Sequence, residues 1–344
     1  MFLSFPWILE TSEVTKFHSN SIDCFLQGLI AACGISVLCS LLRVYNFIQT
    51  CSDYENGSKQ RSSSPGGPVR GNWRATLKFW SLTVLLSLVG SRVSSLIVLE
   101  FSLRAVSAWV SAGLDGSGRG LDLLLIQSQC SLGCSLTSTL AFLHQGAPHS
   151  CFSLLLAAAL SWALASFSHS LQSHVATLYP LHSKERYCGK CITLLTSGHT
   201  MLGSLQRAIV LVFALAGVAS TTTVYNHFLS QKDALKLWIP LSICYTLLVF
   251  NIQEDKHRQS GTQALMHTVV VRLGGLLVLM LTVGYWSDVL HVLITFLGEA
   301  VCLMTSQDLL KAVLKEEEET SLSNYEKSSS HKTITRKTSW DDSS

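Results

Sequence analysis

Eight long runs of this chain carry almost nothing but apolar residues: 22–42, 76–113, 121–143, 150–168, 205–225, 237–252, 265–284 and 287–306. A helix that crosses a bilayer needs about 20 such residues. In lipid the backbone must satisfy its own hydrogen bonds, so only helices and closed barrels can span. Barrel strands alternate over about 10 residues, and these runs are longer and continuous. The expected fold is therefore all-α: a polytopic helical membrane bundle of about eight transmembrane segments, within a range of seven to nine. Composition agrees. Of 344 residues, 48% are hydrophobic and 14% charged, against roughly 25% charged in soluble domains. The mean hydropathy is +0.36.

The organisation follows from the runs. Residues 1–21 form an N-terminal segment with neither a positive n-region nor a small-residue cleavage site, so no removable signal peptide is expected. The multi-pass domain covers 22–313. Its stretch 51–75 is rich in Ser, Gly and Pro and reads as a flexible loop. The segment 314–344 is polar, is expected to be disordered, and offers a site for a cytosolic partner. The net charge of +3 is small and no basic face forms, which excludes nucleic acid as a partner.

Lys and Arg prefer cytoplasmic loops. If each run crosses once, they divide fifteen to eight between the two sides. If the run 76–113 enters and returns, turning near Gly90–Arg92, twenty lie on the side of the C-terminus. Only Lys16, Arg92, Lys232 and Lys236 lie opposite. Length favours the turn, since 38 residues make a helix of about 57 Å against a hydrocarbon core of about 30 Å. The C-terminus is then cytoplasmic. Which membrane holds the chain is not encoded in these patterns.

That same run carries Arg92, Glu100 and Arg104. On a helix they fall within an arc of roughly 120°, and Glu100 and Arg104 are spaced i, i+4 for pairing. Either the segment lies amphipathically in the interface, or the charges line a polar path inside the bundle. Arg272 and Glu299 lie at matching distances before and after the turn at Tyr285–Asp288. They should reach similar depth on adjacent antiparallel helices and form a buried pair. Such a pair either fixes helix register or serves function. Gly274 and Gly275 beside Arg272 permit close helix approach. RVSSLIVLEF at 92–101 echoes RLGGLLVLML at 272–281, an apolar similarity that chance explains.

ERYCGKC at 185–191 holds one C-x-x-C, Cys188 and Cys191, flanked by His182 and His199. Zinc takes four N/S ligands, but one pair without a second spaced pair falls short of a zinc motif. We therefore expect no metal and read the thiols as structural or palmitoylated. Cys24, Cys33, Cys39, Cys130, Cys134, Cys244 and Cys302 sit in apolar runs as small hydrophobes. Eleven cysteines do not form an even secreted framework. No G-x-S-x-G, Walker A or H-E-x-x-H occurs. GLDGSGRG at 113–120 lacks the K-[ST] of a P-loop. No cofactor is expected, and a membrane enzyme ranks behind the alternatives. Asn56 begins the one glycosylation sequon, NGS.

Several strings occur in order from 90 to about 303: GSRVSSLIVLEFSLRAVS, QCSLGCSLT, HQGAPH, LHSKERYCGKC, ICYTLLV, RLGGLLVLMLTVG and FLGEAVCL. Together they resemble the transmembrane protein 82 family. The resemblance implies a multi-pass helical membrane protein and supplies no activity, substrate or catalytic residue. The expected function is transport or gating of a small polar or ionic solute, with Arg92, Glu100, Arg104, Arg272 and Glu299 on its path. The alternative is a non-transporting scaffold or accessory subunit whose charges fix helix packing.

Overall fold

The computed structural model describes residues 6–55, 73–115, 119–144, 150–185, 188–228, 262–283 and 286–312. Among these residues are eight long helices: α1 (Pro6–Glu55), α2 (Trp73–Leu88), α3 (Ser91–Asp115), α4 (Arg119–Leu143), α5 (Ser150–Glu185), α6 (Gly189–Phe228), α7 (Thr262–Val283) and α8 (Trp286–Thr305). A short helical turn, 307–312, follows α8. No strand occurs among the described residues. The expected run 237–252 and the tail 314–344 lie outside them, as do residues 56–72 of the expected loop. Residues 51–55 and 73–75, expected as part of that loop, are helical, and α1 starts at Pro6 rather than near residue 22.

Among the described residues, four helical stretches are long and apolar enough to cross a membrane: Ser21–Thr50, Cys151–Leu178, Thr200–Val224 and Trp286–Thr305. The α2–α3 pair passes only when taken together, bent by 104°. Met266–Val278 is apolar but short. These stretches correspond to the runs 22–42, 150–168, 205–225 and 287–306. The run 121–143 is helical as α4 but is less apolar than those four stretches. The reason is its position: α4 packs against α1, α3, α6 and α8. From Leu125 to Thr137 its residues are buried except the half-buried Gln127 and Leu136. A helix walled by other helices needs no lipid-facing surface, so it can hold Ser128, Gln129, Ser131, Ser135, Thr137 and Ser138.

Their hydroxyls are largely satisfied. Ser128 donates to the Leu125 carbonyl and Ser135 to that of Ser131. Ser138 reaches Ser95 on α3 and Ser220 on α6, each at 3.2 Å. Small hydroxylated residues let backbones approach and join helices where the hydrophobic effect cannot. The outside is the reverse. Phe152, Leu155, Leu156, Leu160, Leu164 and Phe167 stand exposed on α5, as do Val210, Leu211, Leu215 and Val218 on α6. Contiguous apolar surface of this kind suits lipid rather than water.

Contacts fix which helix ends lie together. At one end, α1 meets α8, because Arg43 donates to the Thr305 carbonyl at 2.6 Å and pairs with Asp308 at 2.9 Å. Val44 and Ile48 pack there with Val175 of α5 and Cys191 of α6. At the other end, Leu26 and Ile30 pack with Leu140 of α4 and Leu154 of α5. Thus α1 and α5 run parallel, and α4 runs against both. Also, α6 ends and α7 begins at opposite ends of the bundle.

The α2–α3 break occurs at Gly90, whose φ of 73° lies in the left-handed region. Its carbonyl accepts the Ser94 N–H at 3.1 Å and starts α3. A Cβ here would cost roughly 1–2 kcal/mol in backbone strain and would meet the His291 ring at 3.4 Å. Ahead of the break, α2 leans on Gly28 of α1, where an added Cβ would come within 2.7 Å of the Thr83 carbonyl oxygen. After it, α3 runs antiparallel to α4, with Ser95 beside Ser138 and Arg104 beside Gln127. So α3 finishes at the end of the bundle where α4 starts.

Candidate functional site: a charged cluster at mid-height

The antiparallel register of α3 and α4 sets the depth of Glu100. Arg104 donates to Gln127 at 2.9 Å, so Glu100, one turn away, lies level with the stretch between Gln129 and Gly133. That stretch packs on Cys39 and Ile35 of α1, near the middle of the span Ser21–Thr50. Glu100 is buried, and so is the stretch Val93–Val98 before it. The face of the segment that carries Glu100 is therefore enclosed by the bundle.

Arg272 of α7 meets Glu100 at this level. Its side chain is 1% exposed, with Nε 3.4 Å from a Glu100 oxygen. Its Nη2 donates to Glu299 of α8. Arg104 approaches the same Glu100 carboxylate at 3.9 Å and lies over the Phe101 ring, 4.9 Å from its centroid. Four of the five sequence-selected charges thus meet in one place. Two guanidinium groups balance two carboxylates across α3, α7 and α8. An isolated charge at a bilayer centre costs about 2.5–3.5 kcal/mol on insertion scales. Mutual neutralisation lowers the cost of burying these four.

Satisfaction is uneven. Glu299 accepts the hydrogen bond from Arg272, while neither oxygen of Glu100 accepts one from a described residue. Nε and Nη1 of Arg272 also donate to nothing within hydrogen-bond geometry. Hence Glu100 is held by charge alone. A buried carboxylate of this kind is rare, because buried acceptors are nearly always hydrogen-bonded.

The fifth selected residue, Arg92, sits apart, at the Gly90 turn. It pairs with the buried Asp288 of α8 at 3.4 Å. Sequence reading had placed Asp288 in the α7–α8 turn without giving it a partner. The signal was present: in the returning arrangement, Gly90–Arg92 and Tyr285–Asp288 are turns on the same side. Gln127 was also missed, since a neutral side chain among apolar ones attracts no attention. A further polar group, Cys39, Gln129 and Ser306, lies below the cluster toward Arg43. There Gln129 Nε2 donates to Ser306 Oγ at 2.6 Å and Cys39 Sγ donates to Gln129 Oε1 at 3.1 Å.

The C-x-x-C lies at the start of α6. The Cys188 and Cys191 sulfurs are 3.3 Å apart, and Cys191 is fully buried against Val44, Ile48 and Val175. The backbone and thiol of Cys191, together with His174, bring the Cys188 thiol down to about 6, whereas burial pushes Cys191 up. The imidazole beside them is His174 of α5, its Nε2 3.3 Å from the Cys188 sulfur. The side chains of His182 and His199, the two histidines selected from sequence, lie outside the described residues. Proximity in sequence favoured His182. No spacing signal marks His174, which arrives because α5 and α6 both pack on α1.

Removing Glu299 leaves two guanidinium groups facing one carboxylate. Breaking a buried pair from one side typically costs about 3–5 kcal/mol. Glu299→Gln should lower unfolding stability in detergent by about that much, read from a denaturant titration followed by circular dichroism. A loss no larger than that of an exposed substitution such as Leu297→Ala would remove Glu299 from the cluster.

Residues 22–324 match the family model described as Transmembrane protein 82. No solved structure matches the chain.

Proposed function

The chain belongs to the transmembrane protein 82 family, and from that premise we propose that this multi-pass integral membrane protein moves or gates a small polar or ionic solute. Glu100, Arg272 and Glu299 stand on the route, with Arg104 beside them and Arg92 at one mouth. One observation carries the reading: the Glu100 carboxylate sits at mid-height, buried, with no hydrogen bond to either oxygen. Ionisable residues within the bilayer mark ion and proton routes. A carboxylate held by charge alone can accept a proton or cation without first breaking a donor's bond. Because Arg272 contacts both Glu100 and Glu299, it can lean to one when the other is neutralised. No part of this reading invokes covalent chemistry or a cofactor.

A second reading has its own support. Arg92, Arg104 and Arg272 are matched by Glu100, Asp288 and Glu299, so the interior carries no excess charge. A scaffold or accessory subunit needs only that, with the 314–344 tail left to bind a cytosolic partner. Flux separates the two. Protein reconstituted in vesicles should pass protons or an alkali cation under an imposed potential. Glu100→Gln should abolish this flux in protein that still folds, at a stability cost smaller than that of Glu299→Gln. If the parent is inert to these ions and Glu100→Gln destabilises it as strongly as Glu299→Gln, the scaffold reading takes its place.

For topology, we propose that α2 and α3 enter and return as separate passes. With the run 237–252 as a further pass, the chain crosses nine times, at the top of the expected range. The C-terminus then faces the cytoplasm. The twenty-to-four division of Lys and Arg supports this, as does the break at Gly90, where the pair bends by 104°. Asn56 and a sequon engineered into the middle of 56–72 should stay unglycosylated in cells, while a sequon in the N-terminal segment is modified. Glycan on the engineered loop sequon would reverse the orientation.

A further inference from the structure

The cluster of His174, Cys188 and Cys191 belongs neither to the charged centre nor to the proposed route. It lies where α1, α5 and α6 meet, at the end of the bundle that carries Arg43 and Asp308. The three ligand atoms lie within 4.8 Å of one another. Their separations are 3.3 Å between the sulfurs, 3.3 Å from Cys188 Sγ to His174 Nε2, and 3.8 Å from Cys191 Sγ to the same nitrogen.

These lengths can be compared with a metal polyhedron. Tetrahedral zinc, with Zn–S of about 2.3 Å and Zn–N of about 2.0–2.1 Å, has S···S edges of about 3.8 Å and S···N edges of about 3.6 Å. The observed triangle departs from those edges by about half an ångström or less, within the reach of small side-chain rotations. Unrelated side chains rarely bring three soft donors to one point with those edges. We propose that His174, Cys188 and Cys191 bind a zinc ion with three protein ligands, leaving a fourth position for water. Two thiolates and a neutral imidazole neutralise the charge of Zn²⁺, which lets the ion sit against the apolar wall of Val44, Ile48 and Val175.

The ligands come from two segments, His174 from α5 and the cysteines from the start of α6. Zinc therefore ties the α5–α6 junction, and through Cys191 it seats that junction on α1. Both cysteines are thiols. In the orientation proposed above this end faces the cytoplasm, where thiols stay reduced and a C-x-x-C more often serves metal or catalysis than a structural disulfide.

The test uses the full chain purified in detergent. Zinc content should reach one ion per chain after dialysis against a weak chelator, and zinc K-edge absorption should show two sulfur neighbours and at least one nitrogen. Replacement by Co²⁺ should give sulfur-to-cobalt charge-transfer bands and tetrahedral d–d bands. Cys188→Ser, Cys191→Ser and His174→Gln should each weaken Zn²⁺ binding by at least the roughly 10- to 100-fold that even an outer-shell loss costs. Cys151→Ser, which removes an exposed thiol elsewhere, should bind like the parent. Four results would overturn the proposal: no retained zinc, an absorption edge showing only oxygen and nitrogen (an adventitious ion only), a Co²⁺ spectrum unchanged in His174→Gln, or a Cys188–Cys191 disulfide in protein isolated without oxidant. The absorption and Co²⁺ data come from the parent chain, so they decide the matter even if a variant fails to fold.

Discussion

Arg272 stands in the middle of the bundle and touches carboxylates from two other helices. Its guanidinium cannot be deprotonated in a protein, so the charge has to be met where it lies. Glu299 meets it from the adjacent helix, which a hairpin supplies almost automatically. Glu100 meets it from α3, and that contact requires more of the fold. The chain must reverse at Gly90, α3 must run back along α4, and the two must hold a register in which Ser95 faces Ser138. A slip of one residue would turn Glu100 by about 100°, away from Arg272. The charge cluster and the register of α3 are thus mutually dependent.

Polarity in this bundle is arranged inward. Ser128, Gln129, Ser131, Ser135, Thr137 and Ser138 of α4, with Glu100, Arg272 and Glu299 beside them, are buried, while leucine, valine and phenylalanine stand exposed on α5 and α6. In water that distribution would be unstable. In lipid it is the expected one, because the solvent is apolar and helix association depends on packing and hydrogen bonds. It also explains why α4, the most enclosed helix, is among the least apolar. The Arg272 cluster is the charged extreme of this same interior.

Much of this was legible from the sequence, and the limits were physical. The runs marked the helices because the backbone in lipid has few alternatives. Arg272 and Glu299 were matched by counting residues from a turn, a purely local measurement. The contact of Glu100 with Arg272 was not legible, since it joins helices about 170 positions apart and depends on the return at Gly90. Gly90 itself offered only a weak signal, one glycine after a valine. α4 was recognised as a run, but its central place was not, because hydropathy reports composition and not which neighbours surround a helix. His174 was missed for a related reason: helix packing, not spacing, carries it to the two cysteines.

The claim that Arg272 is shared between α3 and α8 makes an unusual demand on one substitution, Glu100→Gln, measured in two backgrounds. With Arg272 present, the change removes a partner and should cost stability. With Arg272→Gln already made, Arg104 alone faces two carboxylates, so the change removes an excess buried charge and should restore stability. Residues in contact show coupling of about 0.5–3 kcal/mol, and here the sign itself should reverse. Unfolding free energies of the parent, both single variants and the double variant would supply the answer. Reversal is the result this account predicts. An identical effect in both backgrounds would mean that Glu100 and Arg272 do not interact, and that α3 does not return through the bundle in the register described.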